Sequence, residues 1–376
     1  MFPGKMQALA QIGQSLWIDN ISRFMITSGK LKSLIDQGLR GQTSNPTIFK
    51  QAIAAGNDYD QPILELARAG KNTFEVYDEL TVKDVGEAAD LFCGVYEQTK
   101  GLDGYVSLEI NPKLGNESQA QFQEGLRLWK KLNRPNVMIK VPATKNGTAA
   151  VEQLIAQGVN VNVTLIFSAE QYSQVVWAYC KGIKALIQSG GDPAKVRSVA
   201  SVFVSRLDTA VDKWIDGQLA GIGDAAHKTR LSSLRGTAAV SNCEIIFHKF
   251  QNAFAAAEFK QLEAKGAHAQ RVLWASTGTK DLKYSDLKYV TELMAAATVN
   301  TLPDKTLEAY LDHGAAQLAL PNDIALAQRR IEQLRSSGID VNIVCTKLLE
   351  EGLSAFEKSF EELMVSIEEK SKVLVF

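Results

Sequence analysis

Residues 136–167 read NVMIKVPATKNGTAAVEQLIAQGVNVNVTLIF. Two aliphatic, β-branched runs, NVMIKVPA (136–143) and VNVTLIF (161–167), flank the helix-like segment GTAAVEQLIAQG (147–158). Strand, helix, strand in that order predicts a parallel βαβ unit. The pattern recurs along the chain. Going outward, the other strand candidates are SLWIDN (15–20), GQTSNPTIF (41–49), YVSLEI (105–110), VRSVASVFVSR (196–206), RVLWAST (271–277) and TVNTLP (298–303). Helix-like segments separate them, with a long insertion over 58–100 and roughly 60 mostly helical residues before RVLWAST. Eight strands in 376 residues favour an α/β fold of the closed (β/α)8 TIM type over an open doubly wound sheet. No GxGxxG follows the first strand, which counts against a dinucleotide fold. Near the end, Leu349, Leu353, Phe356, Phe360, Leu363 and Ile367 recur at helical spacing, predicting an amphipathic C-terminal helix lying on the barrel. Without a low-complexity linker, the expectation is one domain over 1–376, with extra helices inserted.

Composition narrows the function. A 45% hydrophobic and 22% charged chain is ordinary for a globular protein. A formal charge of −1 implies no strong pull toward nucleic acid or an anionic membrane. Cys93, Cys180, Cys243 and Cys345 lie far apart, outside any CxxC or Cys/His cluster, which argues against a disulfide scaffold and for a reducing, cytoplasmic setting. The N-terminal stretch lacks the apolar core of a signal peptide. No run approaches ~18 apolar residues, so no membrane span is expected.

Successive strand side chains point to opposite faces. In four strands one face is aliphatic, and the other carries polar groups near the strand's C-terminal end. Those groups are Asp19 in SLWIDN, Ser107 and Glu109 in YVSLEI, Lys140 in NVMIKVP, and Asn162 and Thr164 in VNVTLIF. Barrel enzymes keep their active sites at that end. The bland alternative is that each polar residue merely ends its strand in solvent.

Lys140 is the odd residue, because lysine is seldom fully buried. Unprotonated, its amine can form a Schiff base with a carbonyl substrate. Asp19 and Glu109 can serve as general acids or bases, or can simply pair with Lys140. Thr164, Asn162 and Asn45 can orient water or sugar hydroxyls. Carbon–carbon cleavage beside a ketone needs an electron sink, which a metal or an iminium can supply. His227, His248, His268 and His313 are scattered and match no metal-ligand spacing, so the amine route is favoured. Ser201 and Arg206, with Ser276 and Lys280 on the Gly-containing turn after strand seven, suggest a phosphate site. Parity puts Ser201 and Arg206 on opposite strand faces, so a bend must bring them round. A solvent salt bridge is the alternative for Arg206.

Taken in order, WIDN, TSNPTIF, SLEI, MIKVPAT, NVTLIFS and SVFVSRLD resemble the motifs of the transaldolase family over nearly the whole chain. ASTGTKD with TVNTLP is similar to its longer actinobacterial and cyanobacterial-type branch. Many members carry glycine before the phosphate arginine, where this chain has Ser205. The resemblance implies that Lys140 is the Schiff-base lysine and Asp19 the acid/base acting across the cleaved bond. It implies that Glu109 and Thr164 hold a catalytic water, that Asn45 and Asn162 bind substrate, and that Ser201 and Arg206 contact phosphate and substrate. Ser276 and Lys280 are the remaining substrate candidates, since the second phosphate arginine of other branches has no obvious twin. The implied reaction moves a dihydroxyacetone unit between sugar phosphates of the pentose phosphate pathway, without an external cofactor. No metal is expected, and the chain is expected to be a monomer or homodimer, which the sequence alone does not distinguish. Two other readings stand beside it. One is a fructose 6-phosphate aldolase-like enzyme, whose shorter members have glutamine where this chain has Glu109. The other is a non-catalytic sugar-phosphate-binding barrel.

Overall fold

All eight expected strands form, and they close on themselves. A computed structural model describes residues 4–54, 56–115, 117–221 and 223–375. The strands are β1 (Gln14–Ile18), β2 (Gly41–Gln42), β3 (Tyr105–Glu109), β4 (Val137–Pro142), β5 (Val161–Ile166), β6 (Ser198–Phe203), β7 (Arg271–Ala275) and β8 (Thr298–Leu302). They pair in parallel in sequence order, and β8 returns to β1, giving a closed barrel. The outward-facing aliphatic side chains, among them Val137, Ile139, Val141, Val161 and Val163, are fully buried under helices. Each such side chain contributes about 1.5–3 kcal/mol of burial.

Inside the barrel, side-chain volumes are matched across strands. The Trp17 ring fills the space beside Gly41, whose added Cβ would lie 2.5 Å from Trp17 Cε2. Tyr105 stands next to that ring at 6.5 Å between centroids. Polar side chains close the N-terminal end: Arg271 pairs with Asp103 at 3.0 Å and donates to the Thr298 carbonyl, while Ser15 donates to Asp103. That end is structural, and the opposite end is left for chemistry.

Local signals set where strands give way to helices. Thr144 caps the helix Lys145–Ala156 by accepting from the Gly147 amide at 2.9 Å. At Gly147 a Cβ would sit 1.9 Å from the Pro142 carbonyl oxygen, so only glycine lets this helix turn so closely off β4. Ser168 and Gln171 form a capping box for Ala169–Gln188.

Several boundaries differ from expectation. The run 41–49 holds only two strand residues. Pro46 opens the helix Pro46–Ala54, and the Asn45 side chain accepts from the Ile48 amide. The sixth strand stops at Phe203, and Arg206 belongs to the first turn of the helix Ser205–Leu219. The insertion at 58–100 is two helices, Asp60–Arg68 and Thr73–Gln98. Strict alternation in β5 also fails after Thr164. Register with β6 shifts between Val163 and Ile166, and Leu165 takes a left-handed φ of 58°.

The C-terminal helix, Val341–Val375, lies over the barrel mouth. Phe356, Phe360, Leu363 and Ile367 are buried beneath it, as the spacing predicts. Thr47 donates to Ser359 at 2.8 Å, and Lys50 pairs with Glu362 at 2.7 Å, joining this helix to Pro46–Ala54. Among the described residues, no helix is long and apolar enough to cross a membrane.

Candidate active site

Sheet register assembles the centre of the site. Glu109 of β3 is the Cα partner of Lys140 on β4, and Lys140 in turn partners Asn162 on β5. Pro142, two residues further along β4, partners Thr164. Three neighbouring strands therefore carry an acid, an amine and an amide side by side in one row of the barrel interior.

A cavity of about 330 Å³ opens at the C-terminal ends of the strands. Eight of the ten expected site residues line it: Asp19, Asn45, Lys140, Thr164, Ser201, Arg206, Ser276 and Lys280. Glu109 and Asn162 do not. Glu109 sits beside the amine, and Asn162 lies fully buried in the barrel interior, where it donates to Ser107 at 3.0 Å and accepts from Ser201 at 2.6 Å.

Lys140 is only 4% exposed. Its Nζ donates to the Ser44 carbonyl at 3.1 Å and lies 3.3 Å from Glu109 Oε2. The pairing considered from sequence is present, at the mouth of a cavity rather than inside a sealed core. Burial raises the Glu109 carboxyl above the ordinary range, and the attraction of Lys140 only partly offsets this. Asp19 is raised as well. Desolvation is the main cause, opposed by Lys140 and by the hydroxyl of Thr43, which donates to Asp19 Oδ1 at 2.7 Å. Thr43 is in turn 2.8 Å from Thr301. Two carboxyls held above their usual pKa beside an amine are candidates for general acid and base. The Thr164 hydroxyl is buried without a hydrogen-bond partner among the described residues and lines the cavity, ready for a water or a substrate hydroxyl.

The other side of the cavity suits an anion. Arg206 is largely desolvated and makes no ion pair among the described residues; its guanidinium lies 5.4 Å from the Phe203 ring centre. Burial pulls its pKa down, and Glu351 offsets only part of that. An unpaired cation facing a cavity is costly unless an anion joins it. The loop after β7 comes alongside. Ser276, with a left-handed φ of 54°, accepts through its carbonyl from the Ser205 amide at 3.1 Å, and the two hydroxyls lie 3.2 Å apart. Ser205, unusual in sequence, thus ties the arginine-bearing helix to this loop. Exposed Lys280 stands where the cavity meets a neighbouring cleft that includes Asp212 and Asp281. Among the described residues, no group of three His, Cys, Asp or Glu side chains is placed to hold a metal.

The model of the Transaldolase/Fructose-6-phosphate aldolase family matches residues 16–367. The chain belongs to that family. Relatives named transaldolase are similar along nearly their whole lengths. That of Trichodesmium erythraeum is 42% identical over 369 residues, covering 97% of each chain. That of Saccharopolyspora erythraea is 43% identical over 367 residues, again 97% of each. That of Mycobacterium tuberculosis is 42% identical over 360 residues, 95% of this chain and 94% of the relative. In this member of the family, sequence reasoning missed Thr43, Phe203 and Phe356 as site residues. Thr43 and Phe203 stand inside motifs already quoted, next to residues that were chosen. Phe356 looked like one more core position of an amphipathic helix.

Proposed function

We propose that this chain is a transaldolase. It transfers a dihydroxyacetone unit from sedoheptulose 7-phosphate or fructose 6-phosphate to an aldose phosphate, in the cytoplasmic pentose phosphate pathway. One observation carries the residue assignments: a 4%-exposed lysine amine opens onto a cavity that Asp19 lines with it and that Arg206, without an ion pair among the described residues, lines as well.

Arg206 holds the substrate phosphate, helped by Ser276 and Lys280, while Asn45 and Ser201 contact the sugar. Lys140 attacks the donor ketone, and loss of one water gives the imine. Glu109, 3.3 Å from the amine, exchanges the protons of this dehydration through a water held with Thr164. Asp19 takes the proton of the hydroxyl across the bond to be cleaved. The bond's electron pair passes into the iminium, leaving an enamine, and the first aldose phosphate departs. The acceptor aldehyde then reacts with the enamine carbon, the steps reverse, and water frees Lys140. The iminium is the electron sink, so the proposed reaction needs no external cofactor.

Asn162 acts from below, setting Ser201 rather than touching substrate. Glu109 in place of glutamine supports transfer over release. Borohydride reduction with fructose 6-phosphate, followed by peptide mass spectrometry, tests the assignment. A reduced three-carbon adduct on Lys140 is expected, and an unmodified Lys140 would overturn it.

A further inference from the structure

The C-terminal helix does more than cover apolar surface. Gly352 rests on the barrel mouth, where an added Cβ would lie 3.0 Å from Leu165 Cδ2 and 3.7 Å from Arg206 Nη1. One turn later Phe356 enters the site, 5% exposed, its ring centre 5.7 Å from Lys140 Nζ. The next turn is pinned by the Thr47–Ser359 hydrogen bond. Phe356 borders two spaces at once. One is the main cavity. The other is a void of about 10 Å³ that Glu109, Asn111 and Pro142 also line. That volume is about the minimum for one water molecule.

We infer that Phe356 is a specificity-determining residue that directs the covalent intermediate toward transfer by excluding bulk water from the Lys140 side of the cavity. This rests on the Schiff-base reading above. The enamine has two exits. In transfer, its carbon bonds to the acceptor carbonyl carbon. In release, its carbon takes a proton, one water adds to the resulting iminium carbon, and the Lys140 amine leaves as free dihydroxyacetone departs. The water consumed equals the water lost when the imine formed, so release needs no further reactant. The aromatic ring beside Nζ stands between the main cavity and the one-water void next to Glu109. The ring belongs to a helix fixed on both sides of it, so it is a standing wall rather than a swinging lid.

The test compares the parent chain with Phe356→Ala and Phe356→Leu on fructose 6-phosphate. Erythrose 4-phosphate-dependent transfer and acceptor-free release of dihydroxyacetone are both measured, each normalised to the Lys140 adduct trapped by borohydride. The release-to-transfer ratio is expected to rise by about tenfold or more in Phe356→Ala. In Phe356→Leu it should return most of the way to the parent value. If Phe356→Ala does not fold, Phe356→Leu and Phe356→Val carry the test, with the ratio rising as side-chain volume falls. An unchanged ratio, even with both rates lowered, overturns the inference, as does an equal change in all variants. Absence of an adduct in the parent chain would instead overturn the Schiff-base reading.

Discussion

Lys140→Met removes the amine that stands against buried Glu109 and acts electrostatically on partly exposed Asp19, and its effect on stability should depend on pH. In the intact protein burial raises both Asp19 and Glu109, and in each Lys140 is the largest opposing influence. Without Lys140 both rise further. A carboxyl whose folded pKa lies above its unfolded value binds more protons in the native state. Stability is therefore greatest below the unfolded pKa, near 4, and is lost as pH rises toward the folded one. The loss accrues at about 1.4 kcal/mol per pH unit for each carboxyl that stays protonated only when folded. It reaches a ceiling where the carboxyl ionises in place, and breaking a buried pair costs about 3–5 kcal/mol in that limit. Urea unfolding of the parent, Lys140→Met and Lys140→Met/Glu109→Gln, at several pH values between mildly acidic and mildly alkaline, reads this directly. The single variant should stay close to the parent in acid and fall behind as pH rises, while transfer activity is lost throughout. The double variant should recover much of the gap. A gap that does not change with pH, or a double variant that tracks the single one, would refute the reasoning; retained transfer would refute the role of Lys140.

Arg206→Ala should lower kcat/KM for phosphorylated substrates by about tenfold to a hundredfold, the equivalent of losing one or two charge-assisted hydrogen bonds. Inorganic phosphate should raise the melting temperature of the parent and not of this variant. Thr43→Val removes a hydrogen bond that lowers the Asp19 pKa. The acidic limb of the kcat/KM–pH profile should therefore move to higher pH, and an unmoved limb would take Asp19 out of the base role. Gly147→Ala forces the helix Lys145–Ala156 away from the Pro142 carbonyl. Thermal unfolding should show a loss of about 1–3 kcal/mol or more, accompanied by slower trapping of Lys140.

The barrel was legible because alternation and β-branched runs are local properties, and each strand carries its own. The polar ends of β1, β3, β4 and β5 marked the site because a buried lysine or glutamate needs a reason that a leucine does not. Residues whose placement depends on distant partners were harder to read. Phe356 reaches Lys140 across the whole order of the chain, and nothing within its helix distinguishes it from Phe360, which packs on Tyr77 instead. Asn162 has the right parity for the interior, yet its amide is taken up by Ser107 and Ser201, which parity alone does not reveal. The early end of β6 escaped notice because VFVSR continues an apolar run. The change to helix there follows from tertiary pairing of Val204 and Ser205 with the backbone of Ala275 and Ser276.

The helix across the mouth also imposes an order of events during synthesis. The last strand ends at Leu302, so a growing chain can close its barrel, with Lys140, Glu109 and Asp19 already in position, before Phe356 emerges. Until the final helix settles, the nascent protein holds a complete set of reactive groups in an unroofed vessel open to the surrounding solution.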